Sequence, residues 1–315
     1  MVDMSVNIGG LRLSNPVMPG SGTFAEGMAR VLDLNRLGAI VTKTFTPHIR
    51  EGCKPPRVVE YKDASLMAIG IPSKGPQHYI REVVPLYRDC TAPLVASISA
   101  PTVEDFARLA AMVSVEGVRA LEINVSCPNL EKDGKAFSME PDATARVVAA
   151  IRATTPLPIW AKLTPNVTDI AQIALAAERA GADAVTVCNG MLGMAVDIEN
   201  FRPALGNITG GVTGPALKPV ILRMCWQVAQ ATGIPVIGCG GIATAEDAIE
   251  YMMAGASAVQ VGTANFIHPR AMLDVIDGIR AFCLRKGLTR ASDLTGAMRT
   301  EGFGGDSAGT ELQVS

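Results

Sequence analysis

Apolar and polar positions alternate along the chain in short blocks. Apolar runs are separated by longer stretches in which apolar residues recur every three or four positions, as in amphipathic helices. The clearest helical stretches are 103–112, 141–152, 169–180, 216–231 and 245–254. Eight apolar runs stand between or beside such stretches, at 16–19, 39–42, 94–98, 120–125, 159–163, 184–188, 236–239 and 258–261. This alternation predicts repeated βα units around a parallel sheet.

Eight βα units without a break in composition favour an α/β fold closed as a (β/α)8 TIM barrel, with the active site at the C-terminal strand ends. The alternative is a doubly wound sheet, which commonly carries a GxGxxG turn after its first strand. Residues 20–23 read Gly-Ser-Gly-Thr and lack the third glycine. We therefore predict a single barrel domain over residues 1–315.

Two segments fall outside this repeat. Apolar and polar residues alternate at 5–8 and 11–13, on either side of Gly9-Gly10. This pattern predicts an N-terminal β-hairpin that closes the bottom of the barrel. Residues 44–77 follow the second run and are rich in proline and glycine. Long loops at this end of a barrel often cover active sites, so we expect a lid insertion after strand 2.

Composition limits the classes of partner. Of 315 residues, 48% are hydrophobic and 18% charged, so we expect a large hydrophobic core. The net charge is -2, so we expect no electrostatic attraction to nucleic acid. The seven cysteines are odd in number and form no CxxC pair, which argues against a disulfide framework and a metal site and favours the reducing cytoplasm. The charge-free stretch 224–244 is interrupted by Gln, Gly and Pro, so no membrane span is expected.

Glycines and lysines at the predicted strand ends suggest a phosphorylated ligand. Gly240-Gly241 and Gly262-Thr263 follow the seventh and eighth runs, where barrels present backbone N–H groups to phosphate. Either site alone is a tight turn as readily as a phosphate site. Lys43 and Lys162 end two other runs with no acid evident beside them, so we interpret them as facing a ligand rather than forming structural ion pairs. With a central thiol, these features suggest FMN.

Cys127 lies between two carboxamides, Asn124 and Asn129, at the end of the fourth run. It could be a structural thiol, a nucleophile or a general base. A nucleophile is usually paired with histidine, and the three histidines stand in loop-like contexts. A thiol base could remove a proton from carbon while a flavin accepts hydride from the adjacent carbon. The two asparagines would then hold a planar amide-containing substrate, unless they cap the strand end.

Five motifs resemble the catalytic subunits of class 1B dihydroorotate dehydrogenases. They are EINVSCPN at 122–129, NPVMPGSGT at 15–23, AKLTPN at 161–166, TGGVTGPA at 209–216 and GASAVQVGTAN at 255–265. The resemblance covers nearly the whole chain. It implies that Cys127 removes a proton from C5 of dihydroorotate while hydride leaves C6 for FMN, giving orotate in pyrimidine biosynthesis.

The same resemblance implies a set of binding residues and partners. The residues assigned to FMN are Ser21, Lys43, Thr44, Asn124, Lys162, Cys188, Gly214, Gly240, Gly241, Gly262 and Thr263. Those assigned to the substrate are Lys43, Met67, Ser73, Asn124, Asn129, Asn189 and Gly190. The implied partners are a second copy, in a homodimer core, and a subunit carrying FAD and an iron–sulfur cluster that passes electrons to NAD.

Several polar contacts depart from the family pattern. The substrate loop, usually Asn-Ala-Ile-Gly-Leu-Gln-Asn, reads Met-Ala-Ile-Gly-Ile-Pro-Ser at 67–73, Ser97 replaces an asparagine, and Gly190 replaces a threonine. Each lost hydrogen bond to a buried polar group costs about 1–3 kcal/mol. We expect dihydroorotate as substrate, and the alternative is a paralogous FMN-dependent dehydrogenase or reductase acting on a less polar cyclic compound.

Two further classes share the phosphate loops. An aldolase or isomerase barrel would need a Schiff-base lysine or acid–base carboxylates in place of the Cys–Asn cluster. A non-catalytic barrel would have no reason to keep lysines and a thiol at the strand ends. A bound flavin would separate both from the oxidoreductase.

Overall fold

Eight parallel strands form the central sheet of the computed structural model, which describes residues 2–126 and 136–302. In chain order, the first to eighth barrel strands are Val17–Pro19, Ile40–Val41, Leu94–Ile98, Val118–Asn124, Ile159–Lys162, Ala184–Val187, Val236–Gly238 and Ala258–Val261. Each coincides with one predicted apolar run. The eighth strand pairs with the first, and the Gly38 N–H donates to the Val17 carbonyl at 2.8 Å, which joins the second strand to the first.

Helices surround this sheet and confirm the predicted (β/α)8 barrel. They span Gly75–His78, Val103–Val113, Pro141–Arg152, Ile170–Arg179, Lys218–Ala231, Ala245–Met253, Ala264–Ile267 and Ala271–Lys286. Thr102, Asp169 and Thr244 begin three of them, with side-chain oxygens that accept backbone N–H groups of the first turn. The buried faces of the helices pack against outward-facing strand residues in one large apolar cluster.

The N-terminal hairpin closes one end of the barrel, as predicted. Val6–Ile8 pairs antiparallel with Leu11–Leu13, and their buried side chains pack with inward-facing residues such as Met18 and Trp160. Gly9 lies against Asp183, which precedes the sixth strand, and a β-carbon at position 9 would be 2.6 Å from the Asp183 β-carbon. The hairpin therefore covers the N-terminal ends of the barrel strands.

The insertion after the second strand forms part of a second sheet that the sequence analysis missed. Val58–Glu60 and Ser65–Met67 pair with each other, and Gly210–Thr213 and Met191–Gly193, from the segment after the sixth strand, extend them into four antiparallel strands. The Thr263 hydroxyl donates to the Thr213 hydroxyl at 3.0 Å, which ties this sheet to the C-terminal end of the barrel. Its action as a lid stays a prediction.

A short hairpin, Val196–Asp197 with Arg202–Pro203, projects from the same segment. Within residues 2–126 and 136–302, no helix has the length and apolar character needed to cross a bilayer.

Candidate active site

A buried polar cluster occupies the barrel interior near the C-terminal strand ends. Side chains alternate along a strand, so Ser97, Glu122, Lys162 and Gln260 point inward while their neighbours pack under the helices. All four are buried, and Ser97, Glu122 and Gln260 are fully so. Buried polar side chains require hydrogen-bond partners, and these four form hydrogen bonds with one another.

Lys162 lies at the centre of this cluster. Its Nζ donates to Gln260 Oε1 at 3.0 Å and lies 3.9 Å from Glu122 Oε1. Gln260 Nε2 donates to the other Glu122 oxygen, and Ser97 Oγ donates to Glu122 Oε1 at 3.1 Å. The hydroxyls of Ser97 and Thr44 are 2.8 Å apart, which joins the predicted cofactor residue Thr44 to the cluster.

The prediction that no acid accompanies Lys162 was therefore wrong. Glu122 is distant from Lys162 in sequence, but the fourth and fifth strands are neighbours and bring the two side chains together. Glu122 and Gln260 were both missed by the sequence analysis. The available signal was a polar residue at an inward position of an otherwise apolar strand.

The charge of Lys162 depends on this environment. Burial alone would lower the pKa of its ammonium, but Cys239 and Glu122 oppose burial, and the pKa is raised above its ordinary value. Lys162 therefore stays protonated at neutral pH. It also approaches Ser21 Oγ at 3.5 Å, which brings a second predicted cofactor residue to the cluster.

A second cluster of polar side chains lies where the fourth and sixth strands end. Asn124 Oδ1 accepts from Ser126 Oγ at 2.6 Å, and Asn189 Nδ2 donates to Ser126 Oγ at 2.6 Å. Asn124 and Asn189, both predicted to bind ligands, are thus brought together around Ser126. Cys127 and Asn129 follow directly in the chain but lie outside the described residues.

The glycine loops after the last two strands differ in their packing. Gly241 has φ +70°, and a β-carbon there would be 2.8 Å from Lys218, so the turn itself requires glycine. At Gly262 the nearest atom to an added β-carbon is 3.9 Å away, in Thr23. Packing among the described residues therefore does not require glycine at position 262, whereas close approach of a ligand would.

Orphaned polar atoms test whether a flavin nucleotide fits this end of the barrel. Thr186 is fully buried and pairs in register with Lys162, yet its hydroxyl has no hydrogen-bond partner among the described residues. The side-chain oxygen of Asn265, beside the eighth-strand loop, is likewise unsatisfied within that part of the chain. Buried polar atoms of this kind usually have a partner. Their location beside Lys162 and Gly262 fits a polar ligand with an anionic group.

Cys188, at the end of the sixth strand, contributes differently from the lysines. Its side chain is buried, and burial raises the pKa of the thiol well above its ordinary value. It therefore stays neutral and offers a packing surface rather than a charge. Gly214, another predicted cofactor residue, adjoins Ala64, where an added β-carbon would lie 3.0 Å from the Ala64 α-carbon.

The predicted substrate residues of the insertion lie in different surroundings. Ser73 is buried, and its hydroxyl accepts the backbone N–H groups of Thr46 and Gly75 at 3.0 and 3.1 Å, so it holds the loop together. Met67 is half-buried in the second sheet, opposite Gly211. Lys43 is half-buried and lines a cavity of about 170 Å³ whose other walls include Thr44, Lys74, His78 and Tyr79.

Gly190 is explained by its contacts with the second sheet. A β-carbon at position 190 would lie 3.1 Å from Gly211 Cα and 3.1 Å from the Val212 carbonyl oxygen. The space that a side chain would take is filled by the strand Gly210–Thr213. Gly190 therefore permits close approach of that strand, and its lack of a side chain does not by itself widen the cavity.

The fold and this cluster define a (β/α)8-barrel protein with a polar, charged site at its C-terminal strand ends, where the active sites of barrel enzymes lie. The family model described as dihydroorotate dehydrogenase matches residues 3–283. This chain belongs to the dihydroorotate dehydrogenase family, and the resemblance inferred from its motifs is confirmed.

Individual relatives indicate the class within this family. A protein of Bacteroides fragilis is 44% identical over 301 residues, covering 95% of this chain and 99% of its own length. One from Trichlorobacter lovleyi is 46% identical over 298 residues, covering 94% and 98%. Both are named dihydroorotate dehydrogenase B (NAD(+)), catalytic subunit. A crystal structure of the Eimeria tenella dihydroorotate dehydrogenase with ferulenol superposes with a TM-score of 0.78 at 22% identity, covering 94% of this chain and 88% of that one, which shows the shared fold.

Proposed function

We propose that this chain oxidises dihydroorotate to orotate in pyrimidine biosynthesis, as an FMN-binding catalytic subunit of the class 1B type. The observation that carries the proposal is the match, along almost the whole chain, to catalytic subunits that share 44% and 46% of its residues. Class 1B is the class that the sequence motifs indicate, and it agrees with the names of these relatives.

The departures from the family pattern do not favour a different substrate. Ser97 bonds to Glu122 and Thr44, and Gly190 accommodates the strand Gly210–Thr213. Ser73 engages backbone groups of its own loop. Three of the changes thus have explanations within the protein, and nothing in the structure explains Met67.

The residues present fit FMN, which would supply a two-electron acceptor for hydride. Gly240-Gly241 and Gly262-Thr263 would hold its phosphate, because these loops follow the last two barrel strands. Lys162 would place a positive charge beside the ring system. The unsatisfied hydroxyl of Thr186 supports a polar ligand at that level of the barrel.

The chain's own residues would bind and orient the substrate and move one proton. Asn124 and Asn189 offer amide donors and acceptors that match the edge of a planar dihydropyrimidine. Lys43, at the cavity wall, would attract the carboxylate of dihydroorotate. Cys127 would take the proton from C5, a role that rests on the family resemblance.

The assembly and location of the protein follow from the same class. We propose a homodimer core with an additional subunit that carries FAD and an iron–sulfur cluster and passes electrons to NAD. The relatives' names, which specify NAD(+) and a catalytic subunit, support this partner. The six cysteines in the described residues are all free thiols, which supports a cytoplasmic location. We further propose that residues 1–315 form one domain.

The direct test is anaerobic reduction of the purified chain. We expect a yellow protein that releases FMN on denaturation and whose flavin absorbance is bleached by dihydroorotate. Dihydrouracil and dihydrothymine, which lack the carboxylate, serve as matched controls and should reduce the flavin far more slowly. Faster reduction by either would favour the paralogue with a less polar substrate, and a chain that takes up no flavin would refute the proposal.

A further inference from the structure

A fully buried carboxylate in the barrel interior has no part in the chemistry described above. Glu122 lies on the fourth strand, with its carboxylate 3.9 Å from Lys162 Nζ. Buried ion pairs are costly to desolvate, and apolar residues of similar volume often serve a core as well or better. Stability of the barrel alone therefore does not account for the pair.

The hydrogen-bond directions around Glu122 are determined by its neighbours. Ser97 gives its single proton to Oε1, so Thr44 must be the donor in the Thr44–Ser97 bond. Gln260 gives its amide N–H to Oε2 and receives the Lys162 ammonium on its oxygen. An amide can bridge an ammonium and a carboxylate in this orientation only, so Gln260 transmits the position of Glu122 to Lys162.

Three titratable groups face Lys162 in the described part of the chain: Glu122, Cys188 and Cys239. Burial raises the pKa of both thiols, so they are neutral near pH 7. At neutral pH the negative charge beside Lys162 is therefore that of Glu122, while the neutral Cys239 thiol acts on Lys162 through a hydrogen bond. Without the Glu122 charge, desolvation would favour the neutral amine.

We propose that Glu122 is a positioning residue that, through Gln260 and its own charge, keeps Lys162 charged and in place at the cofactor end of the barrel. The proposal rests on the proposed function in taking FMN as that cofactor. Reduction adds negative charge to a bound flavin, and a lysine that is already fully charged stabilises that charge without taking up a proton of its own.

The first test needs no cofactor. The lysine Cε and Nζ resonances of the FMN-free protein are followed by NMR against pH, with Lys162 assigned by Lys162→Arg. In Glu122→Gln, which replaces the carboxylate by an amide of nearly the same shape, we expect the Lys162 midpoint to fall by at least about one pH unit. Glu122→Asp keeps the charge and should restore most of the shift.

The second test measures the potential of the bound flavin against pH. At pH values between the Lys162 midpoints of Glu122→Gln and the wild type, reduction of the variant should draw an extra proton onto Lys162. The reduction equilibrium should then change up to about tenfold more per pH unit than in the wild type, or ~30 mV for a two-electron couple. Ser97→Ala is the matched control, because it removes a hydrogen bond from the same carboxylate but no charge, and it should keep the wild-type slope. A merely structural role for Glu122 would alter stability but not this slope.

The outcomes separate the two proposals. The role of Glu122 is refuted if Lys162 titrates in Glu122→Gln at the wild-type midpoint. It is also refuted if the potential keeps its wild-type slope between the Lys162 midpoints of the variant and the wild type. If the chain takes up no FMN, the proposal that FMN is the cofactor is refuted. The NMR titration of the FMN-free protein still tests whether Glu122 controls the charge of Lys162. Should Glu122→Gln not fold, Gln260→Met removes the bridge while leaving both charges, and it should shift Lys162 in the same direction. No shift in that variant would overturn the proposal.

Discussion

Lys162 illustrates how a residue can be located from sequence while its environment cannot. Its position at the end of an apolar strand was enough to identify a candidate ligand-binding lysine. Its counter-charge comes from another strand, and alternation alone gives no information on which inward positions of two strands approach each other. Glu122 could have been singled out as a charged residue between apolar neighbours in the strand Val118–Asn124, but its pairing with Lys162 depends on strand register.

Cys127→Ser should slow reduction of the flavin by dihydroorotate at least about 100-fold, because a thiol can supply a thiolate base near neutral pH whereas a serine hydroxyl stays un-ionised. FMN content should stay the same, since Cys127 is not among the residues assigned to FMN. Stopped-flow absorbance under anaerobic conditions measures the rate. Cys90→Ser, at a half-buried thiol outside the polar cluster, is the control, and equal rates for the Cys127 variant and wild type would contradict the assignment of the base.

Gly190→Thr, which introduces the residue usual in the family, should destabilise this chain. Its β-carbon would lie 3.1 Å from backbone atoms of Gly211 and Val212, and overpacking of this kind costs about 1–3 kcal/mol. The free energy of unfolding in urea measures the effect. Gly27→Ala is the control, because an added β-carbon there has no atom of the described residues within 4 Å. A stability equal to wild type would show that the strand Gly210–Thr213 yields readily.

At the scale of elements, the barrel strands and the N-terminal hairpin could be predicted, but the second sheet could not. The barrel strands are predominantly apolar and most are followed by helices, which is a local pattern. The second sheet pairs Ser65–Met67 with Gly210–Thr213, segments far apart in sequence that are short and rich in small residues. Its pairing depends on the barrel bringing two loops together, which no local pattern contains.

The insertion after the second strand should depend on Ser73. Ser73→Ala leaves the buried N–H groups of Thr46 and Gly75 without their acceptor, at a cost of about 1–3 kcal/mol to the local structure. We expect faster amide hydrogen exchange at those two residues and faster proteolysis within residues 46–75. Ser65→Ala, in the same insertion but outside these bonds, is the control. Unchanged exchange at both amides would show that the loop is held by other contacts.

For the whole molecule, the Lys218–Asp247 ion pair links acid stability to the loop after the seventh strand. Asp247 is partly desolvated, but it accepts from Lys218 at 2.7 Å and from the Ala243 and Thr244 N–H groups, and these bonds hold its pKa below the ordinary value. A lowered carboxyl pKa contributes stability that is present above its unfolded value and lost as the pH falls through the folded value.

Asp247→Asn should therefore flatten the acid side of the stability profile. Between about pH 5 and pH 3 the wild type should lose more unfolding free energy than the variant, because only the wild type takes up a proton at this position. Urea unfolding at a series of pH values gives the comparison. Glu246→Gln removes an adjacent carboxylate outside the ion pair and is the control. Parallel profiles for Asp247→Asn and wild type would exclude the linkage.

Among the described residues, the hairpin of Val6–Ile8 and Leu11–Leu13 closes the N-terminal end of the barrel and leaves the C-terminal end as the entrance. A compound bound on the barrel axis must enter and leave by the same opening. Bound product therefore prevents the next substrate molecule from binding. Orotate should accordingly compete with dihydroorotate for the oxidised protein.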